Sequence, residues 1–181
     1  MLTENDNFEA ARAGCTDDVD LLVEIAQAHS DAIAGSRGAD LMLRREQAFT
    51  ADELKQVLEA AVEHEHQELV VGTFSGVVFG YGFVRYEMLS DGTTIARLEH
   101  LLVDPEARGV GIGEAMMVLI LEGASQRGCI GIDSSALPGD RATKNFFESF
   151  GLKARQLVVH RSLTAADTTP ASHQPSTDST V

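Results

Sequence analysis

Three glycines at alternate positions, Gly109, Gly111 and Gly113, separate a β-rich run, "IARLEHLLV", from an apolar run spanning Ala115 to Leu121. Glycine is costly inside a helix and useful where a backbone turns tightly or approaches a ligand. The spacing therefore predicts a strand, a bare turn and then a helix. Glu114, Glu122, Ser125 and Gln126 fall in one sector at ~100° per residue, so that helix is buried over most of its surface. A strand delivered straight into a buried helix is a unit of an α/β domain.

The flanking periodicities complete the expectation. "FEAARAGC" reads as a short strand, and "TDDVDLLVEIAQAHSDAI" as a helix with Thr16 as N-cap and acids in its first turn. "TADELKQVLEAAVEH" repeats the pattern, with Thr50 and Glu53 spaced as a capping box. "ELVVGTF" and "VVFGYGFVRYEML", joined by "SG", read as a hairpin, and "DGTT" turns the chain into the strand before the glycines. "CIGIDSSAL" is a strand, "GDRATKNFFESFG" a helix closed by Gly151, and "KARQLVVHRSL" a final strand. The expected order is βααβββαβαβ over a domain at residues 8–163. Residues 1–7 are expected to be loose. The Thr-, Ser- and Pro-rich residues 164–181 bury too little apolar surface to offset ordering entropy and are expected to form a disordered tail.

Charge narrows the function. The net charge is −14, and residues 1–70 carry 16 acidic against 5 basic side chains. No basic cluster suited to nucleic acid appears. The acidic half either attracts a cationic small molecule or peptide, or serves as a solvated surface. No apolar run is long enough to span a membrane, and the N-terminus lacks the basic and apolar regions of a signal peptide. Cys15 and Cys129 do not make a disulfide or metal framework, and the alternate His64 and His66 read as solvated, so no metal site is expected. The natural setting is cytoplasmic.

Two phosphate loops are excluded at the glycines. A Walker loop needs Lys and then Ser or Thr after its last glycine, where Glu114 and Ala115 stand. A dinucleotide fingerprint started at Gly109 or Gly111 needs glycine where Glu114 or Met116 stands. What remains is a helix N-terminus whose free amides suit an anion, with Arg108 beside it.

These residues resemble the GNAT superfamily of N-acetyltransferases. Its motif [Q/R]-x-x-G-x-[G/A] is met by Arg108, Gly111 and Gly113, and its second signature, an aromatic pair followed by glycine and an apolar residue, by "NFFESFGL". The resemblance covers roughly residues 8–163 and implies a mixed, mostly antiparallel central sheet flanked by helices. It implies an acetyl-CoA-dependent N-acetyltransferase acting directly on a primary amine of a small molecule or peptide. Homodimerisation is common in the family and is a further expectation.

Carried over residue by residue, the cofactor site comprises Leu101, Leu102 and Val103 before the loop, and Arg108, Gly109, Val110, Gly111, Ile112, Gly113 and Glu114 within it. Backbone near Leu101 would polarise the thioester carbonyl. Glu99 in "LEHLLV" takes the place of the family's glutamate and is the candidate base. Alternation puts Arg97 on the same strand face, so a structural ion pair is the competing reading. His100 points to the opposite face of an unbulged strand and is expected to be a core or interface histidine. Phe147 stands where many members carry the tyrosine that protonates the leaving thiolate, and Asp140 where an asparagine often precedes it. That departure leaves water, Tyr81 or Tyr86 as proton donor, with Phe147 packing against cofactor and core. It also keeps open a non-catalytic acyl-CoA-binding or regulatory module, and a different donor such as succinyl-CoA.

Overall fold

The computed structural model describes residues 8–45, 50–161 and 163. The expectations for residues 1–7 and 164–181 lie outside them. Chain order is β1 (Glu9–Ala13), α1 (Val19–Ile33), α2 (Ala39–Arg45), α3 (Ala51–Glu63), β2 (Gln67–Phe74), β3 (Val77–Met88), β4 (Thr94–Val103), α4 (Ile112–Gln126), β5 (Ile132–Ser134) and α5 (Arg141–Ser149). The sheet runs β1-β2-β3-β4-β5, antiparallel except for the parallel β4–β5 pair.

Alternation along the strands divides the core into two layers. Leu69, Val71, Tyr81 and Phe83 face α1 and α3, where they meet Leu22, Ile25, Leu54 and Leu58. Val70, Val84, Ala96 and Leu98 face α4, where they meet Ile112, Met116, Met117 and Ile120. Helix α4 lies low on the sheet because β2 offers a bare backbone beneath it. A Cβ on Gly72 would sit 2.5 Å from Ile112 Cγ2, well inside van der Waals contact.

Local signals were obeyed where they close over a few residues. Thr50 and Glu53 form the expected capping box at α3. The β2–β3 turn uses Ser75 and Gly76, both at positive φ, as a two-residue hairpin turn requires.

Three expectations are corrected. A short helix, α2, follows α1. Helix α1 does not begin at a Thr16 cap: a 3-10 turn over Thr16–Asp18 comes first. The Asp18 carboxylate there accepts from Cys15 N and from Arg12 Nη1 and Nη2. The expected final strand does not form among the described residues either. Residues 152–161 carry no regular structure, and Leu157, Val158 and Val159 are exposed. β-propensity reflects fit against neighbouring strands, and this segment pairs with none. The observed order is therefore βαααβββαβα.

Candidate active site

Strand β4 carries the site, and one irregularity shapes it. Phe83 pairs with His100 but Val84 pairs with Leu98, so Glu99 is an extra residue without a cross-strand partner. A bulge reverses the alternation beyond it. Ala96 and Leu98 face α4 before the bulge, and Leu101 and Val103 face it afterwards. His100 is thereby turned to the α1–α3 side, where its ring packs edge-on against Tyr81 and Phe83. The expectation that His100 and Glu99 point to opposite faces is corrected for this reason.

Both side chains open onto one cavity of about 510 Å³ between β4, α1, α2 and the β5–α5 connection. Its walls include Leu101, Leu102, Ser134, Ser135 and Phe147, together with His29 and Asp31 from α1. Asp31, Glu99 and Asp140 supply three carboxylates, and among the described residues neither Lys nor Arg lines the cavity. Of the predicted residues, Glu99, Leu101, Leu102 and Phe147 are thus brought together.

Glu99 is not free. Its Oε1 receives Arg97 Nε at 3.1 Å, which is the ion pair anticipated from alternation. His100 Nδ1 lies 2.8 Å from Tyr81 Oη. Burial, with help from His29 and Arg85, pushes the His100 imidazole down to about 4, so it is neutral near pH 7. Burial also raises the Tyr81 phenol. His29 is depressed by burial and by Arg108, with Asp140 opposing. Tyr86, the other suggested proton donor, lies on the α4 face; it hydrogen-bonds Glu68 and sits beneath Arg127.

At the end of β4 the sheet parts. Strand β5 pairs with β4 only from Ala96/Ile132 to Leu98/Ser134, whereas β4 continues to Val103. A notch is left along Glu99 to Val103, floored by open backbone. Beyond it, Gly109 and Gly111 take φ of 79° and 91°, a region that disfavours any residue with a Cβ. Gly111 caps α4, whose next amides, of Ile112, Gly113 and Glu114, have no carbonyl in a preceding turn. Gly113 faces the Phe146 ring at ordinary contact distance. Arg108 Nε donates to Val103 O at 3.3 Å, and Val110 is exposed.

A protein-family model described as an acetyltransferase (GNAT) domain matches residues 62–153, about half of the chain. The chain belongs to the GNAT family. The match spans the hairpin, β4, the glycine loop, α4 and α5, so it includes every predicted site residue. No curated protein matches the GNAT chain in sequence. Solved structures do match its fold. A transcriptional regulator from Bacillus halodurans C-125 is 20% identical at a TM-score of 0.64, covering 85% of this chain and 99% of its own. An aminoglycoside acetyltransferase from an uncultured soil metagenomic sample, in complex with sisomicin, is 16% identical at 0.65, covering 89% and 99%. Aminoglycoside N-acetyltransferase AAC(6')-Iy, in complex with CoA, is 13% identical at 0.65, covering 86% and 95%.

GNAT proteins use acetyl-CoA, and the residues present fit that group. The loop backbone is bare where a diphosphate would come close, the first amides of α4 have no partner in a preceding turn, and the notch beside Leu101 to Val103 would leave room for an extended arm. One neighbour is unexpected in this GNAT loop. A Cβ on Gly111 would lie 3.0 Å from Glu9 Cγ, so a carboxylate stands beside the glycine loop.

Sequence reasoning missed His29 and misplaced His100. His29 did leave a trace. It continues the stripe Leu22, Ile25, Ala26 on the buried face of α1, where a polar residue needs a reason.

Proposed function

We infer that the protein transfers an acetyl group from acetyl-CoA directly to a primary amine of a small molecule or peptide. The observation that carries this reading is the joining of two features by β4. A bare anion-binding loop lies at its end, and a carboxylate-lined cavity lies at its bulge. Leu101, Leu102, Val103 and the loop from Arg108 to Glu114 would hold the CoA moiety, which supplies the activated acyl group. Phe147 would pack against its arm.

The chain's residues have two tasks. The amine must lose a proton, and Glu99 is placed to accept it, directly or through water, at the cost of its bond to Arg97. The acceptor must also be drawn in and held. Asp31 and Asp140, with Glu99 once Arg97 yields, favour an amine that arrives protonated, in keeping with the amine-bearing aminoglycosides acted on by two of the similar proteins.

A second reading has its own support. Phe147 carries no proton, and Glu99 is held by Arg97, which is what an acyl-CoA-binding module would retain after losing turnover. Calorimetry with acetyl-CoA, followed by thiol release over a panel of primary amines, separates the two. Binding with amine-dependent release supports the enzyme. Binding without release across the panel supports the module. At 100 times its dissociation constant, bound acetyl-CoA stabilises the fold by roughly 2.7 kcal/mol, and no thermal shift with either acetyl-CoA or CoA overturns both.

A further inference from the structure

We propose that Tyr81 and His100 form a unit that holds the His100 Nε2–H as a hydrogen-bond donor to the acyl oxygen of the donor thioester. This rests on the acyl-transfer reading above and adds a catalytic residue, His100, and a positioning residue, Tyr81.

The tautomer follows from satisfaction of a buried group. Tyr81 is fully buried, and among the described residues its hydroxyl makes a single hydrogen bond, to His100 Nδ1. If that hydroxyl accepted, its own proton would be buried without a partner, which is unfavourable by roughly 1–3 kcal/mol. Tyr81 O–H therefore donates to Nδ1. A neutral imidazole then carries its proton on Nε2. Nε2 has no hydrogen-bond partner among the described residues, and His100 lines the cavity.

The surroundings keep the ring neutral. His29 faces it from α1, Arg85 and Tyr81 from β3, and Glu99 precedes it on β4. Two of these neighbours oppose a second positive charge.

Chemistry then selects the acceptor of the hydrogen bond. An arriving ammonium offers no lone pair to an N–H, and Glu99 already serves it. A thioester sulfur is a weak acceptor. The acyl oxygen gathers negative charge as the amine adds, and a fixed neutral donor stabilises it without reorganising. His100 immediately precedes Leu101 on the open edge of β4, where the acyl-transfer reading puts the thioester. No bond to His100 forms or breaks, and its proton stays on Nε2.

The test uses the full-length, ¹⁵N-labelled protein. Two-bond ¹⁵N–¹H spectra are expected to show His100 as the neutral Nε2–H tautomer at pH 7. Tyr81→Phe is expected to mix the two tautomers in a protein that remains folded by thermal unfolding. Saturation with acetyl-CoA should move the Nε2–H resonance downfield, whereas CoA, which lacks the acyl oxygen, should not. In thiol release with an amine panel, His100→Ala should lower kcat ~10²–10³-fold with little change in acetyl-CoA affinity by calorimetry. His100→Gln, which keeps an N–H donor, should recover most of that loss. An Nδ1–H tautomer, equal shifts with CoA and acetyl-CoA, or equal losses in the Ala and Gln variants would overturn the proposal. Failure of wild-type protein to bind acetyl-CoA overturns the acyl-transfer reading itself, and this inference with it.

Discussion

Arg97 Nε sits 3.1 Å from Glu99 Oε1, two residues along one strand, and Glu99 is the residue that β3 leaves unpaired. The bulge frees the glutamate backbone from the ladder while the arginine holds its side chain at the cavity wall. Glu99→Gln keeps the shape and removes the proposed base, so amine acetylation at neutral pH should fall by ~10²-fold, the low end for a general base. The deficit should shrink as pH rises and more amine is already neutral. Turnover against pH for both proteins checks this, and a loss below about threefold, against the ~10² expected of a base, returns Glu99 to a structural role.

Gly111 and Gly113 should respond differently to the same added methyl. At Gly111 the backbone is left-handed and a Cβ would crowd Glu9, so Gly111→Ala should cost roughly 1–2 kcal/mol. Gly113 lies within the first turn of α4, and its Cβ would meet Phe146 at 3.5 Å. Gly113→Ala should be neutral or stabilising by up to ~1 kcal/mol. Denaturant unfolding of the ligand-free variants measures both.

Glu9 places negative charge beside the loop proposed to hold a diphosphate. Neutralising it with Glu9→Gln should tighten acetyl-CoA binding by on the order of 1 kcal/mol, about fivefold. The gain should diminish at high ionic strength. Calorimetry at low and high salt decides it, and unchanged affinity at low salt would place the diphosphate away from Gly111.

Asp18 predicts the acid limit of the domain. Hydrogen bonds from Arg12, and then from Cys15, hold its carboxyl at about 2, below the ordinary 3.8, against the opposing effect of burial. A depressed carboxyl contributes stability that is present above its unfolded value and is lost as pH falls through the folded one. The window is therefore from about pH 4 to about pH 2. The contribution at neutral pH is about 2 kcal/mol. Asp18→Asn should remove it and flatten the stability profile across that window, as followed by denaturant melts at stepped pH.

Phe147→Tyr tests the missing acid. Its ring lines the cavity with Glu99 and His100, so a hydroxyl there would face the reacting groups. If thiolate departure limits the rate, single-turnover acetylation should be faster in the variant. An unchanged single-turnover rate would make Phe147 a packing residue.

The sequence by itself determined what short-range chemistry controls. Gly109 and Gly111 mark the turn ahead of α4 because glycine takes their positive φ without strain, and the apolar run that follows carries the pattern of a buried helix. Thr50 with Glu53, and Ser75 with Gly76, closed a cap and a hairpin within a few residues. The anion loop and its family were legible for that reason. Tertiary structure decided the rest. The bulge at Glu99 exists only as a count of β4 residues against β3 residues, and nothing in "LEHLLV" announces the extra one. That single offset turns His100 from the α4 layer to the Tyr81 hydroxyl. The segment "KARQLVVHRSL" has strand-like composition, yet its described residues 153–161 form no strand, since pairing must be supplied by another strand. His29 reaches the cavity only because α1 packs across a strand some seventy positions later in the chain. Local propensity is written residue by residue, but register and convergence are properties of the packed sheet.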